Sequence, residues 1–187
     1  FHNRNKIKIE GKAQWLTVPV SVHLGQKINE IDFCDLDFIE KHLRTIKSSY
    51  SKAPFFDQVF PDIENLYKNI VSLKLVDFNT KTLKMIFSKF DHSKKIILSS
   101  ELDLDFTQKS TSALIDICKT VSADSYLSGV GAKEYLDMSI FTKNDINLSW
   151  QDFQHPVYKQ LGDNFLPNLS VLDALFNLGY QETYNIL

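Results

Sequence analysis

Three short stretches carry side chains whose types and spacing could do chemistry. In "SADSYLSGVGAKEYLD", Ser122 to Asp137, an apolar run closes on Ser128, Gly129 and Gly131, and Lys133 follows at the start of a helical pattern. Glycines let a backbone approach a ligand closely, the first amides of a helix carry partial positive charge, and the lysine adds a full one. That combination suits a phosphate or a carboxylate. The letters are neither GxGxxG nor a Walker A loop, so a tight corner between strand and helix is the competing reading.

In "LSSEL", Ser99, Ser100 and Glu101 end the preceding apolar run. Hydroxyls beside a carboxylate could hold a sugar or position a proton transfer. The plainer alternative is a strand end whose serines satisfy loop amides. In "HPVYKQL", His155, Tyr158, Lys159 and Gln160 share one loop and have the makings of a general acid–base cluster. A lone loop histidine is otherwise simply solvated.

Two basic groups complete the set. "FHNRNKIK" contains His2, Asn3, Arg4, Asn5 and Lys6, and "EKHLRTIKSSYSKAP" contains Lys41, His42, Arg44, Lys47 and Lys52. The second group alone reads as a solvated helix face; together the two would line an electropositive pocket rim. No Cys/His pair has zinc spacing, no GxSxG is present, and Cys118 sits mid-helix on an apolar stripe. Neither a metal site nor thiol catalysis is expected.

The elements that must position these groups follow from the hydrophobic period. "WLTVPVSV" alternates, with Leu16, Val18, Val20 and Val22 on one side, and Pro19 assigns it to a sheet edge. "INEIDF" is a weaker strand. Leu36, Ile39, Leu43, Ile46 and Tyr50 make one helical stripe over residues 35–50, with His42 at its margin. Further helices are predicted over 55–69, kinked or split near Pro61, and over 80–90. The second half reads strand ("KIILSS"), helix (109–121), strand ("DSYLSG"), helix (132–141), strand ("DINLSWQDF"). A last helix begins after Ser170, which with Asp173 has capping-box spacing, and Gly179 can supply its left-handed C′ residue.

The expected architecture is a single α/β domain over residues 1–187. It has a mostly parallel sheet, a Rossmann-like βαβαβ unit in the second half, and a helical segment between that unit and the N-terminal strands. In such sheets ligands sit outside the carboxyl ends of the strands, which would bring Ser128 and Ser100 to one edge. The chain opens on Phe1, polar and already in register, so an N-terminal portion of the natural domain is expected to be missing.

Bulk composition narrows the function classes. The 187 residues are 43% hydrophobic and 24% charged, ordinary for a packed globular protein, and the net charge is −2. That charge argues against broad nucleic-acid binding, and no apolar stretch approaches the roughly 20 residues of a membrane span. Cys34 and Cys118 cannot form a disulfide framework and read as buried free thiols in a reducing cytosol, which places the protein in the cytoplasm.

Several segments in order resemble the bacterial WbqC-like protein family: "NRNKIK", "WLTVPV", "KHLRTIKSSYSKAPFF", "SSEL", "LIDICK", "ADSYLSGVGAKEYLD", "HPVYKQL" and "FLPNLSVLDALFNLG". The resemblance spans nearly the whole chain. Members typically carry a segment of the type H-Q-P-x-Y-x-P-W-x-G before the "NRN" motif, which this chain lacks. The resemblance implies an association with surface polysaccharide, in particular O-antigen, gene clusters. It also implies site candidates by motif position: Asn3, Arg4, Asn5, Lys41, His42, Lys52, Ser100, Glu101, Tyr126, Ser128, Gly129, Gly131, Lys133, Tyr135, His155, Tyr158, Gln160, Asn168 and Ser170. His155, Glu101 and Lys133 are the catalytic candidates among them, and Asn168 and Ser170 have a helix-capping alternative.

The function these readings favour is a cytosolic transferase acting on an activated sugar or another phosphate-bearing small molecule, for instance moving an acyl or aminoacyl group onto an amino sugar. Its partner would be an anionic small molecule, a nucleotide-sugar or an acyl donor; no cofactor is assigned. One alternative is a non-catalytic assembly module of a polysaccharide pathway, using Phe55, Phe56, Phe60, Tyr67 and Trp150 at the surface. Another is a nucleotide-binding enzyme with the turn at Ser128 to Lys133 as its phosphate site.

Overall fold

The computed structural model describes residues 2–90, 95–104 and 110–187. It divides into two compact units, one of Phe1–Lys94 with His155–Leu187 and one of Lys95–Gln154. The fold class is mixed α/β, with six α-helices and two small sheets among the described residues.

In the larger unit the chain opens with an antiparallel hairpin, β1 (Arg4–Ile9) and β2 (Lys12–Thr17). Gly11 supplies the left-handed turn residue with φ of 74°. The inward face of β1 carries Ile7, fully buried, and Leu16 lies across from Asn5. The alternation predicted for "WLTVPVSV" is right as far as Val20, but the ladder stops at Thr17. Pro19 has no N–H to continue it, Val20 makes only an isolated bridge to Phe33, and Val22 is exposed. "INEIDF" is a 3₁₀ turn (Ile28–Glu30) followed by bridges at Asp32 and Phe33, not a strand.

Four helices cover the hairpin's inner face. In α1 (Phe38–Tyr50) the buried stripe is Phe38, His42, Leu43, Ile46 and Tyr50, so His42 lies inside the stripe and not at its margin. α2 (Phe56–Lys68) runs through Pro61 without splitting, with Pro61 on its exposed side. α3 (Leu75–Lys89) starts five residues before the predicted position. α6 (Val171–Asn185) starts where Ser170 Oγ accepts from the Leu172 amide. Asp173 does not close a capping box: its carboxylate turns inward to two tyrosines. Gly179 does not end α6 but sits inside it, at φ 76° and ψ 177°, where two helical stretches meet at a kink.

The smaller unit departs most from expectation. Residues 95–98 of "KIILSS" form no strand, and Ser99–Glu101 is a 3₁₀ turn. A run of so few apolar residues does not separate a buried strand from irregular chain, and Ile96, Ile97 and Leu98 are only half-buried. After α4 (Thr111–Thr120; the Lys109 end of the predicted helix lies outside the described residues) comes β3 (Ser125–Gly129). It pairs parallel with β4 (Asn147–Gln151). The predicted helix over 132–141 is two pieces, a 3₁₀ turn Val130–Glu134 and α5 (Met138–Lys143), whose Asp137 cap accepts from the Ser139 amide. The mostly parallel, Rossmann-like βαβαβ sheet is thus reduced, among the described residues, to one parallel pair with a short helical crossover.

Candidate functional site

The larger unit contains a cavity of about 300 Å³ between the hairpin, α1, α2, α3 and the start of α6. Its floor is apolar: Ile7, Val18, Ile63, Leu66 and Ile86 are buried. Its exposed rim is His2, Arg4, Asn5 and Leu83, with Asn3, Asn79 and Thr82 half-buried between. This volume lies at the small end of ligand pockets, and an apolar interior with a few placed polar groups is their usual make-up.

The polar groups are placed by local structure. Arg4 and Asn5 open β1, so their side chains face opposite sides of the pleat, and Asn3 directly precedes the strand. Arg4 packs its guanidinium over Trp15 at 4.5 Å, and Lys6 lies 4.8 Å from the same ring. Asn3 Nδ2 donates to the Val18 carbonyl at 3.1 Å, and Asn79 Nδ2 donates to the His2 carbonyl at 3.0 Å. Each amide thus holds the rim with its NH₂ and keeps its oxygen available.

His42 and Tyr67 form a buried part of the wall. The Thr17 carbonyl, 3.1 Å from Nε2, can only accept, so Nε2–H donates. Nδ1 then accepts the Tyr67 hydroxyl at 3.2 Å. Burial pushes the His42 pKa below its ordinary value, and nearby Lys41 pushes it the same way. Burial also raises that of Tyr67. The imidazole is therefore neutral and has both nitrogens engaged: it shapes the cavity and ties α1 to β2.

A second polar cluster anchors the cavity's walls from behind. Asp173, fully buried, accepts Tyr50 O–H at 2.9 Å and Tyr158 O–H at 2.8 Å. Tyr50's oxygen in turn accepts the Lys8 amide at 3.0 Å. The Lys8 ammonium is buried too, near Gln160 Oε1 at 3.4 Å and donating to the Asn164 carbonyl. Gln160 clasps Leu166 by accepting its N–H and donating to its carbonyl, both at 2.9 Å. Burial raises the Asp173 pKa from the ordinary carboxylate value, opposed by the tyrosine hydroxyls and by Lys8. Burial raises those of Tyr50 and Tyr158, and the Asp173 charge adds to it.

Of the predicted site residues, Asn3, Arg4, Asn5, His42 and Ser170 meet at the cavity, and Tyr158 and Gln160 meet behind it. His155 accepts the Asn168 amide at Nε2, 2.9 Å away, and its Nδ1 lies 2.9 Å from the Pro156 carbonyl. The pair pins the loop that leads into α6, with Asn168 left-handed at φ 58°. Lys41 and Lys52 are exposed on or just after α1 and are not among the lining groups. Sequence reasoning missed Lys8, Tyr50, Asn79 and Thr82 as site components and took Asp173 for a cap. A lysine in an inward-facing strand next to Ile7 and a tyrosine closing an apolar stripe were the available signals.

The remaining candidates lie in the smaller unit. Ser128 is buried at the end of β3, Lys133 sits 5.4 Å from the Trp150 ring, and Tyr126 stacks on Phe141 at 5.5 Å. Gly129 and Gly131 have no left-handed backbone, and a Cβ on either would meet nothing within 4 Å. Ser100, Glu101 and Tyr135 are exposed, and Glu101 caps its own turn by accepting the Leu98 amide at 3.3 Å. Because residues 95–98 form no strand, Ser100 does not stand at the carboxyl end of a strand beside Ser128. Cys118 is buried and its thiol pKa raised by that burial, whereas Cys34, expected inside, is exposed. Among the described residues, no cluster of three or more His, Cys, Asp or Glu is arranged for a metal, and no helix is long and apolar enough to cross a membrane.

No solved structure matches the chain. It is similar to the uncharacterized protein Rv1507c of Mycobacterium tuberculosis, with 32% identity over 182 residues, covering 96% of this chain and 78% of that protein. The pattern that defines the WbqC-like protein family matches residues 1–185, which include the rim asparagines, His42, Asp173 and the turn after β3; the chain belongs to the WbqC-like protein family.

Proposed function

We propose that this protein is a transferase of surface polysaccharide (O-antigen) biosynthesis that moves an acyl group onto the amino group of an activated sugar. The observation that carries this reading is the cavity itself. Its apolar floor fits a hydrocarbon portion, while Asn3, Asn79 and Arg4 at the mouth offer amide oxygens and a cation to a polar head. In the reaction the amine nitrogen bonds to the acyl carbonyl carbon, the bond from that carbon to the carrier breaks, and the carrier leaves with the amine proton. The protein's share is to hold the acyl carbon near the amine and to exclude water. Glu101, Lys133 and His155 are not among the groups that line the cavity, so substituting each separately tests whether any of them takes part in proton transfer.

The test combines the full-length protein with nucleotide-linked amino sugars and acyl thioesters, and reads the sugar by mass spectrometry. The expected product carries the added acyl mass. Ligand at 100 times its dissociation constant should stabilise the protein by about 2.7 kcal/mol, a rise in Tm of about 5–10 °C for a protein this long. No product and no thermal shift across the panel would overturn the proposal. The assembly-module alternative loses most of its surface, since Phe60 and Tyr67 are buried and Phe56 stacks on Phe60 and Phe176.

A further inference from the structure

The cavity's mouth opens beside a cationic shelf of which the acyl-transfer reading uses only Arg4. Arg4 belongs to both: it lines the cavity and lies over Trp15, where Lys6 joins it. Stacking on the indole holds the guanidinium in place while leaving its N–H edge for a partner. Among the described residues neither Arg4 nor Lys6 has a carboxylate within salt-bridge distance, in contrast to Lys68, Lys74 and Lys89. Arg4 therefore stands without a counter-charge at the entrance to an apolar slot, and Lys6, outside the lining, shares its indole.

The geometry points to an anionic amphiphile as the ligand: an unbranched hydrocarbon chain in the slot with a carboxylate or phosphate head on Arg4. This rests on the proposed role of the cavity and names the chemistry of the substrate that enters it. A cavity of about 150 Å³ encloses a benzene ring of six heavy atoms, so about 300 Å³ takes roughly twelve, a chain of about ten carbons with the first atoms of its head group. Arginine matches both head groups by paired N–H donors, so the head is an arm of the test.

Calorimetric titration of the full-length protein with carboxylates from hexanoate to dodecanoate, with octyl phosphate, and with the matching neutral alcohols decides it. Affinity should rise about fourfold per added methylene until the slot is full, then level near ten carbons. The anions should bind at least tenfold tighter than the alcohols, and comparison of octanoate with octyl phosphate identifies the preferred head. Arg4→Gln should erase that tenfold advantage while leaving alcohol binding intact. Leu83→Trp, a change at an exposed rim position, should weaken every ligand. Equal affinity for anions and alcohols, an undiminished Arg4→Gln, or no binding of any chain would overturn the assignment. Binding as expected without acyl transfer in the product assay would instead sink the transferase reading alone.

Discussion

The buried cluster around Asp173 makes the most quantitative prediction. Tyr50→Phe removes one oxygen that accepts the Lys8 amide at 3.0 Å and donates to Asp173 at 2.9 Å. The ring remains stacked on Phe176 with centroids 4.7 Å apart, so the apolar contribution is nearly unchanged. A buried amide donor left without a partner costs about 1–3 kcal/mol, and the weakened solvation of Asp173 adds about 1 kcal/mol, since Tyr158 still donates to it. The expected loss is about 2–4 kcal/mol. Tyr158→Phe breaks only one of these bonds at a half-buried position and should cost about 1 kcal/mol. Because both hydroxyls serve one carboxylate, the double variant should exceed the sum of the singles by about 1 kcal/mol. Urea denaturation in a Trp150→Phe background, where Trp15 fluorescence reports the larger unit, measures all three. A loss below about 0.5 kcal/mol for Tyr50→Phe, or strict additivity of the pair, would show that the cluster does not hold β1 to α6 as described.

Two other predictions rest on single residues. Gly179 has a backbone conformation essentially confined to glycine, and a Cβ there would lie 2.7 Å from Phe55 Cδ1, so Gly179→Ala should lower stability by about 2–4 kcal/mol in thermal unfolding. His42 has its pKa held below the ordinary value of 6.5 by burial, so its stabilising contribution is complete above pH 6.5 and is lost as pH falls toward the lower folded value. Stability measured from pH 7.5 to 5 should decline on that limb, and His42→Gln should flatten it; an unchanged slope would contradict the buried neutral imidazole.

The parts of this protein legible from sequence are those where local period and local chemistry coincide. The stripe Leu43, Ile46, Tyr50 dictates α1, Ser170 marks the start of α6, and the alternation around Leu16 and Val18 orients β2, because each pattern spans a few neighbouring residues. "KIILSS" failed for the complementary reason: a short apolar run states a wish to be buried but not the shape in which to do it. The site was visible only in pieces. "NRN" and His42 stood out by type, yet their meeting needs α1 to fold back on the hairpin through the His42–Thr17 contact, 25 positions apart. Asp173 looked like a cap because its sequence neighbour is Ser170; its real partner, Tyr50, lies 123 positions away. Local spacing sets which residues share a face of a helix or strand, whereas a buried polar group takes its partners from whatever the packing of distant elements places within hydrogen-bond reach.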